Sequence, residues 1–301
     1  MTMTLNDRIS RVIFGGSRIA AGLLWLANVH WKRPPVFGKT NGSGLYKYVK
    51  YGIDNPTFPP FAWVLRKFVS PNMTAFGWMT LLLEVSLAAL LILGWRTRPV
   101  ALLAAGQSMA IGLSVAQTPN EWPWSYVLMV CLHLMLFATD AGRFGGLDGR
   151  HGQGRSVLRS LLVLGGGAVA VGVAGVIAAA NSPFTNKSGS LVGQESYELK
   201  FLRFNLLAAL LCIAMGAIAL VGWKLRRAIP VWIAAGLAFA ACLQVVVQWR
   251  SENGAETGGI LGGTGGTLAW WLLLAIGFGV LAREVESRVG ENRVENQEAQ
   301  A

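Results

Sequence analysis

The hydrophobic positions of this chain are gathered into long unbroken runs, not the short alternations of a soluble fold. A hydrocarbon core of about 30 Å is crossed by about 20 apolar residues in a helix. Eight runs reach that length, at roughly 10–31, 73–94, 98–117, 122–140, 157–180, 203–223, 229–249 and 262–282. They predict an all-α integral membrane protein with eight transmembrane helices. The first run follows Arg8 and Arg11, outlasts the apolar stretch of a signal peptide and has no clean cleavage site. It therefore reads as a retained anchor.

The polar residues between the runs set an orientation. Arg96 and Arg98 lie between runs two and three, and Arg143, Arg150, Arg155 and Arg159 between four and five. Lys224, Arg226 and Arg227 lie between six and seven, and Arg283, Arg288 and Arg293 follow run eight. The opposite short loops carry no Lys or Arg between three and four, and only Arg250 between seven and eight. Short cationic loops stay in the cytoplasm, so both termini are expected there, in a multi-pass protein of the plasma membrane. Trp31, Trp95, Trp122, Trp124, Trp223 and Trp249 fall at run ends, where indole prefers the interface.

Composition agrees with this picture. Of the 301 residues, 53% are hydrophobic and 14% charged, against about 25% charged in soluble domains. The mean hydropathy is +0.47. Disordered, collagen-like and disulfide-framework classes are excluded. The net charge of +11 is accounted for by membrane topology, so no nucleic-acid partner is expected. Cys131, Cys212 and Cys242 sit singly in apolar runs, and three histidines, His30, His133 and His151, are too few for several haem ligand pairs. No metal or tightly bound cofactor is expected.

The loop between runs one and two departs from the charge rule. It holds Lys32, Arg33, Lys39, Lys47, Lys50, Arg66 and Lys67 against Asp54, together with Tyr46, Tyr48, Tyr51, Phe58, Phe61 and Trp63. Two readings stand: a long loop that translocates regardless of charge and lies on the outer leaflet, or a cationic, aromatic vestibule that attracts a small anion. In the second reading Lys32, Arg33, Lys47 and Lys50 bind substrate.

The chain divides into two four-helix units, 1–150 and 151–301. The turn Gly94-Trp95-Arg96-Thr97-Arg98-Pro99 resembles Gly222-Trp223-Lys224-Leu225-Arg226-Arg227, with Pro230 shortly after. Either the units are parallel repeats, or tight cytoplasmic turns collect the same residues. The second unit carries few polar groups within its runs, Gln244 and Gln248, with Arg203 and Asn205 near an outer end. It reads as scaffold or docking surface. Its glycine-rich stretch 258–266 lacks the lysine and preceding strand of a phosphate loop. Residues 181–200 are its one sizeable loop.

Charge inside the hydrocarbon costs on the order of 3 kcal/mol, so intramembrane ionisable groups are site candidates. Arg18, Glu84, Gln107 and His133 stand on four successive runs. At 1.5 Å per residue they lie about 12, 15, 15 and 11 Å from the cytoplasmic face. They are expected to meet in one layer, with Arg18 and Glu84 paired and Gln107 and His133 adding hydrogen bonds. The alternative is a network that only locks helices together. A quinone headgroup asks for a donor at its carbonyl and a route for protons, which His and a carboxylate supply near neutral pH.

The same residues carry a family resemblance. The stretch Arg18-Ile19-Ala20-Ala21-Gly22-Leu23-Leu24-Trp25 leading to Lys32, Glu84 before Leu93-Gly94-Trp95-Arg96, His133, and Ala141-Gly142-Arg143-Phe144-Gly145-Gly146-Leu147-Asp148 together resemble the DoxX family over residues 8–150. That family includes DoxD, the small subunit of thiosulfate:quinone oxidoreductase. The resemblance implies a four-helix membrane unit that passes electrons from thiosulfate, or a related small sulfur anion, to a quinone. It implies Arg18, Glu84 and His133 as catalytic, Lys32 as a site residue, and Arg143 and Asp148 as matching positions whose other reading is a salt bridge at the cytoplasmic rim. Quinone and membrane lipids are the expected ligands, with a protein partner or a second copy of the chain. The second unit departs from the pattern. A non-catalytic scaffold subunit of a respiratory complex and a small-anion or lipid transporter are the other classes open to this sequence.

Overall fold

The computed structural model describes residues 9–29, 31–150, 154–180, 187–190, 200–252 and 255–298. His30, His151 and residues 181–186 and 191–199 of the expected loop lie outside the described residues. The chain is a multi-pass membrane protein built of α-helices, with four short strands among the described residues. Its helices are α1 (Gly16–Val29), α2 (Gly44–Asp54), α3 (Pro59–Val64), α4 (Met73–Leu93), α5 (Thr97–Val115), α6 (Pro123–Ala138), α7 (Gly154–Ala179), α8 (Leu206–Leu225), α9 (Ala228–Val247) and α10 (Gly265–Glu298). Five-residue π turns precede α1 and follow α3.

Among the described residues, six helical segments are long and apolar enough to cross a bilayer: Val12–Val29, Met73–Leu93, Val157–Ala179, Leu206–Leu225, Ala228–Val247 and Gly265–Arg288. The two remaining expected spans also fold as helices, but short of that measure. In α5, Arg98, Gln107 and Ser108 dilute the apolar run. The 16 residues of α6 reach about 24 Å at 1.5 Å per residue. Along these helices Leu103, Val163, Ile177, Ile229 and Val247 stay exposed, the apolar surface that a lipid-facing helix presents.

The chain forms two compact units, Met1–Gly149 with Trp249–Glu256, and Arg150–Gln248 with Thr257–Ala301. In the first, α1 packs on α4 and α5 on α6. In the second, α7 packs on α8 and α9 on α10. The order of pairing is the same in both, yet the shared Gly-Trp turn differs in detail. Gly94 ends α4 with φ +64°, the left-handed cap that glycine adopts most readily. Gly222 and Trp223 are still inside α8, and the left-handed residue there is Arg226.

The stretch 31–72, expected as a loop, contains two helices. In α2, Leu45, Val49 and Gly52 are buried at helical spacing while Lys47 and Lys50 point outward. The i, i+4, i+7 pattern was present in the sequence, masked by the lysines between. In the second unit, strands Lys187–Ser190 and Lys200–Phe204 pair antiparallel. The Asn205 side chain then caps α8 by accepting from the Ala208 amide at 2.9 Å, and donates to the Ile260 carbonyl at 2.5 Å. The glycine-rich stretch is thus tied down as a structural turn, held also by the Ile260 amide donating to Gln248 Oε1 at 3.1 Å.

Candidate functional site

The first unit buries an ion pair. Glu84, in the middle of α4, is fully buried, and Lys32, three residues beyond α1, is 1% exposed. Lys32 Nζ lies 2.5 Å from Glu84 Oε2 and donates to the Asn28 carbonyl at 3.0 Å. Its ammonium also stands 4.2 Å from the centre of the Trp31 ring, a cation–π contact. From α5, Gln107 Nε2 donates to Glu84 Oε1 at 3.1 Å. Both carboxylate oxygens are therefore engaged, which a buried carboxylate needs to offset its lost hydration. Burial pushes the Lys32 ammonium pKa below its ordinary value, and the Glu84 charge works against that shift.

The pair lies at the deep end of a cavity of about 300 Å³. Phe76, Thr80 and Glu84 line it from α4, one turn apart, so the lining descends about 12 Å along that helix. Gln107, Ile111 and Ser114 line it from α5, and Tyr48 from α2. Near the start of α6, Tyr126 Oη donates to Glu121 Oε2 at 3.3 Å. Burial first, then the Glu121 charge, pushes the Tyr48 phenol pKa up, so Tyr48 remains a donor at neutral pH. The cavity thus has apolar walls, a paired ammonium and carboxylate at its base, and two phenols and a carboxylate above them.

The expected polar layer is split. Arg18 does not meet Glu84. It lies two residues into α1, and its Nη1 donates to the carbonyls of Leu91 and, at 2.7 Å, Ile92, the last turn of α4. Because α1 and α4 run antiparallel, this puts Arg18 opposite residues seven or eight places past Glu84, about 10 Å away along the helix. The depth reasoning located positions along the helices only, and the Arg18 side chain engages the last turn of α4 instead of reaching Glu84. Arg18 covers carbonyls of the last turn, at the negative end of a helix dipole.

His133 is also separate from the pair and does not line its cavity. Its Nε2 accepts from Trp25 Nε1 at 3.0 Å, and its Nδ1 lies 2.6 Å from the Met129 carbonyl. One nitrogen must accept and the other donate, which fixes a neutral imidazole with the proton on Nδ1. Both nitrogens are thereby committed to packing.

Of the other expected substrate residues, Arg33 and Lys47 line a second, outer pocket, while Lys50 is exposed and lines neither space. The outer pocket and the cavity share Trp31 and Tyr48, whose rings meet edge-on at 5.6 Å. Arg143 and Asp148 do not pair with each other, contrary to the rim salt bridge. Arg143 Nε reaches Asp140 Oδ2 at 3.3 Å. Asp148 accepts from the amides of Arg96 at 2.6 Å and Thr97 at 2.8 Å, and so caps α5 from 51 residues away. Gly142 is glycine for the same reason, since a Cβ there would fall 2.1 Å from Asp148 Oδ2 and 2.2 Å from Thr97 Oγ1.

Sequence reasoning passed over Glu121, Tyr126 and Trp31 as site residues. The available signal was Glu121, an acid in the short loop before α6, five residues before a tyrosine on an apolar helix. Among the described residues no cluster of three His, Cys, Asp or Glu side chains is placed to hold a metal ion. In comparisons with known proteins, the chain matches no family model, no curated protein and no solved structure.

Proposed function

We propose that the first unit is a membrane oxidoreductase subunit that passes electrons from thiosulfate, or a related small sulfur anion, to a membrane quinone seated in the Lys32–Glu84–Gln107 cavity. The observation that carries this reading is a buried, mutually neutralised ammonium and carboxylate at the deep end of an apolar-walled space. A neutral ring with carbonyl oxygens suits a cavity base where the ammonium and carboxylate cancel each other. Two of the three Lys32 protons go to Glu84 and the Asn28 carbonyl, leaving a third for a ligand oxygen. Reduction of a quinone consumes two electrons and two protons. Two thiosulfate ions release those electrons as they join through a sulfur–sulfur bond. Lys32 and Glu84 pass the protons, and Arg33 and Lys47 attract the anion at the outer pocket. These side chains carry no electrons themselves, so donor and quinone must come into redox contact across Trp31 and Tyr48, or through a partner that holds a redox group.

In this reading α5 and α6 complete eight spans, both termini are cytoplasmic, and the cavity opens on the outer side. The unit keeps the resemblance to the DoxX family in its use of Lys32 and Glu84, but assigns Arg18 and His133 to structure. The test is thiosulfate-dependent reduction of a soluble quinone analogue by the purified full-length chain, beside Glu84→Gln, with quinone binding followed by tryptophan quenching. We expect binding in the intact chain and turnover at least about a hundredfold lower in the variant, the loss expected when a proton-handling group is removed. Unchanged turnover in Glu84→Gln, or an intact chain that binds no quinone, overturns the reading.

A further inference from the structure

The cavity is too small for more than a headgroup. At about 300 Å³ it lies at the bottom of the range of ligand sites, so a single substituted ring fills it. A membrane quinone also carries a long hydrocarbon chain, and that chain needs its own path. Beside the cavity, between α1 and the α5–α6 pair, lies a groove of about 530 Å³. Leu24 and Trp25 of α1, Ser108 of α5, and Leu128, Met129 and Leu132 of α6 line it. Its rim is open to the hydrocarbon, since Leu24 and Leu128 are 50% and 57% exposed. Asn28, Ile111 and Tyr126 line both the cavity and the groove. The two spaces are therefore one side-chain layer apart.

We infer that the ligand is an amphiphile that enters sideways from the bilayer, with its ring in the Lys32–Glu84–Gln107 cavity and its chain in the α1–α6 groove, crossing at Asn28, Ile111 and Tyr126. This deepens the proposed function and rests on it. The adjacency carries the inference: the charged groups Lys32, Glu84 and Glu121 line only the cavity, and the neighbouring groove, with Asn28, Ser108, Ser125 and Tyr126 as its polar members, is walled mainly by Leu, Met, Ile and Trp. The path also explains an arrangement the outer route does not need. A water-soluble substrate entering past Tyr48 has no use for an apolar groove on the lipid side of the same wall.

The test compares two quinones of one ring type, a chainless one and one with a ten-carbon tail, binding to the full chain and to Leu132→Trp in the same detergent. Leu132 touches the groove and not the cavity, and chainless binding reports that the variant is folded. We expect the tail to strengthen binding by about five- to tenfold beyond its partition into micelles, since detergent already shelters the tail and only packing contacts are gained. Leu132→Trp removes that gain and leaves chainless binding within about twofold, the groove being outside the headgroup site. A second variant, Leu128→Trp, guards against misfolding of the first and is expected to behave alike. If both variants keep the gain in full, or the intact chain shows none, the lateral path is overturned while the headgroup site stands. If the intact chain binds neither quinone, the proposed function fails with it.

Discussion

Lys32 and Glu84 are held where neither is well hydrated, so each charge is tolerable only through the other. Removing one partner of a buried pair strands the remaining charge and costs roughly 3–5 kcal/mol, whereas replacing both with neutral groups of similar shape comes close to neutral. Lys32→Met and Glu84→Gln are therefore each expected to lower the melting temperature of the detergent-solubilised chain markedly. The double variant is expected to recover most of the loss. Additive losses in a double-mutant cycle would refute the pairing. His133 makes the opposite prediction. With both ring nitrogens engaged by Trp25 and Met129, His133→Gln should cost about 1 kcal/mol, one or two net hydrogen bonds, and leave the pH profile of turnover unmoved. A profile that loses an ionisation near neutrality would return His133 to proton transfer. The sequence marked all four residues of the expected layer as unusual, but depth along a span does not say which way a side chain faces. Lys32, placed in a loop by its position after the first run, reaches back into the helices on its four-carbon stem.

The turn between α4 and α5 is built from pieces far apart in the chain. Arg18 covers the last carbonyls of α4, and Asp148 covers the first amides of α5. Between them the Leu147 and Asp148 amides donate to the carbonyls of Leu93 and Gly94 at 3.0 and 2.9 Å. Arg96, in the left-handed region just before α5, offers no side-chain acceptor for the helix start, so the Asp148 carboxylate supplies it. Asp148→Ala is expected to destabilise the chain by about 1–2 kcal/mol, as for other lost caps, and Asp148→Asn by less, because its amide oxygen still accepts. Equal losses in thermal melts of the two variants would show that the charge, not the acceptor, matters. At this scale the helices were legible, because a run of 20 apolar residues leaves the backbone no other way to satisfy its own hydrogen bonds. The partners of Arg143 and Asp148 were not, because a cap contributed from 51 residues away leaves no local pattern in the sequence. Nor was α2 read, because its Leu45–Val49–Gly52 stripe is narrow and its lysines dominate the composition.

For the whole molecule the proposed function depends on sidedness, and the charge of the turns gives the expectation. The turns after α4, α6 and α8 and the segment after the apolar part of α10 carry Arg96 and Arg98, Arg143, Lys224 with Arg226 and Arg227, and Arg283 with Arg288. The cavity opens at the other end of its helices, where α1 and α5 finish and α4 and α6 begin. Segment 31–72, at that end, is cationic. The fold removes part of its conflict with the charge rule, because Lys32 is neutralised by Glu84 inside the unit and is not a loop charge at all. In the proposed eight-span arrangement, with the cationic turns inside, the C-terminus is expected in the cytoplasm and Lys47 outside. A C-terminal reporter that is active only in the cytoplasm should be active. In a Cys131→Ser background, which removes the exposed native thiol, Lys47→Cys should react with a membrane-impermeant maleimide on intact cells. Labelling that appears only after lysis would put the cavity on the cytoplasmic side. The sulfur anion would then have to come from within, and the cationic turns would have to lie outside despite the charge rule.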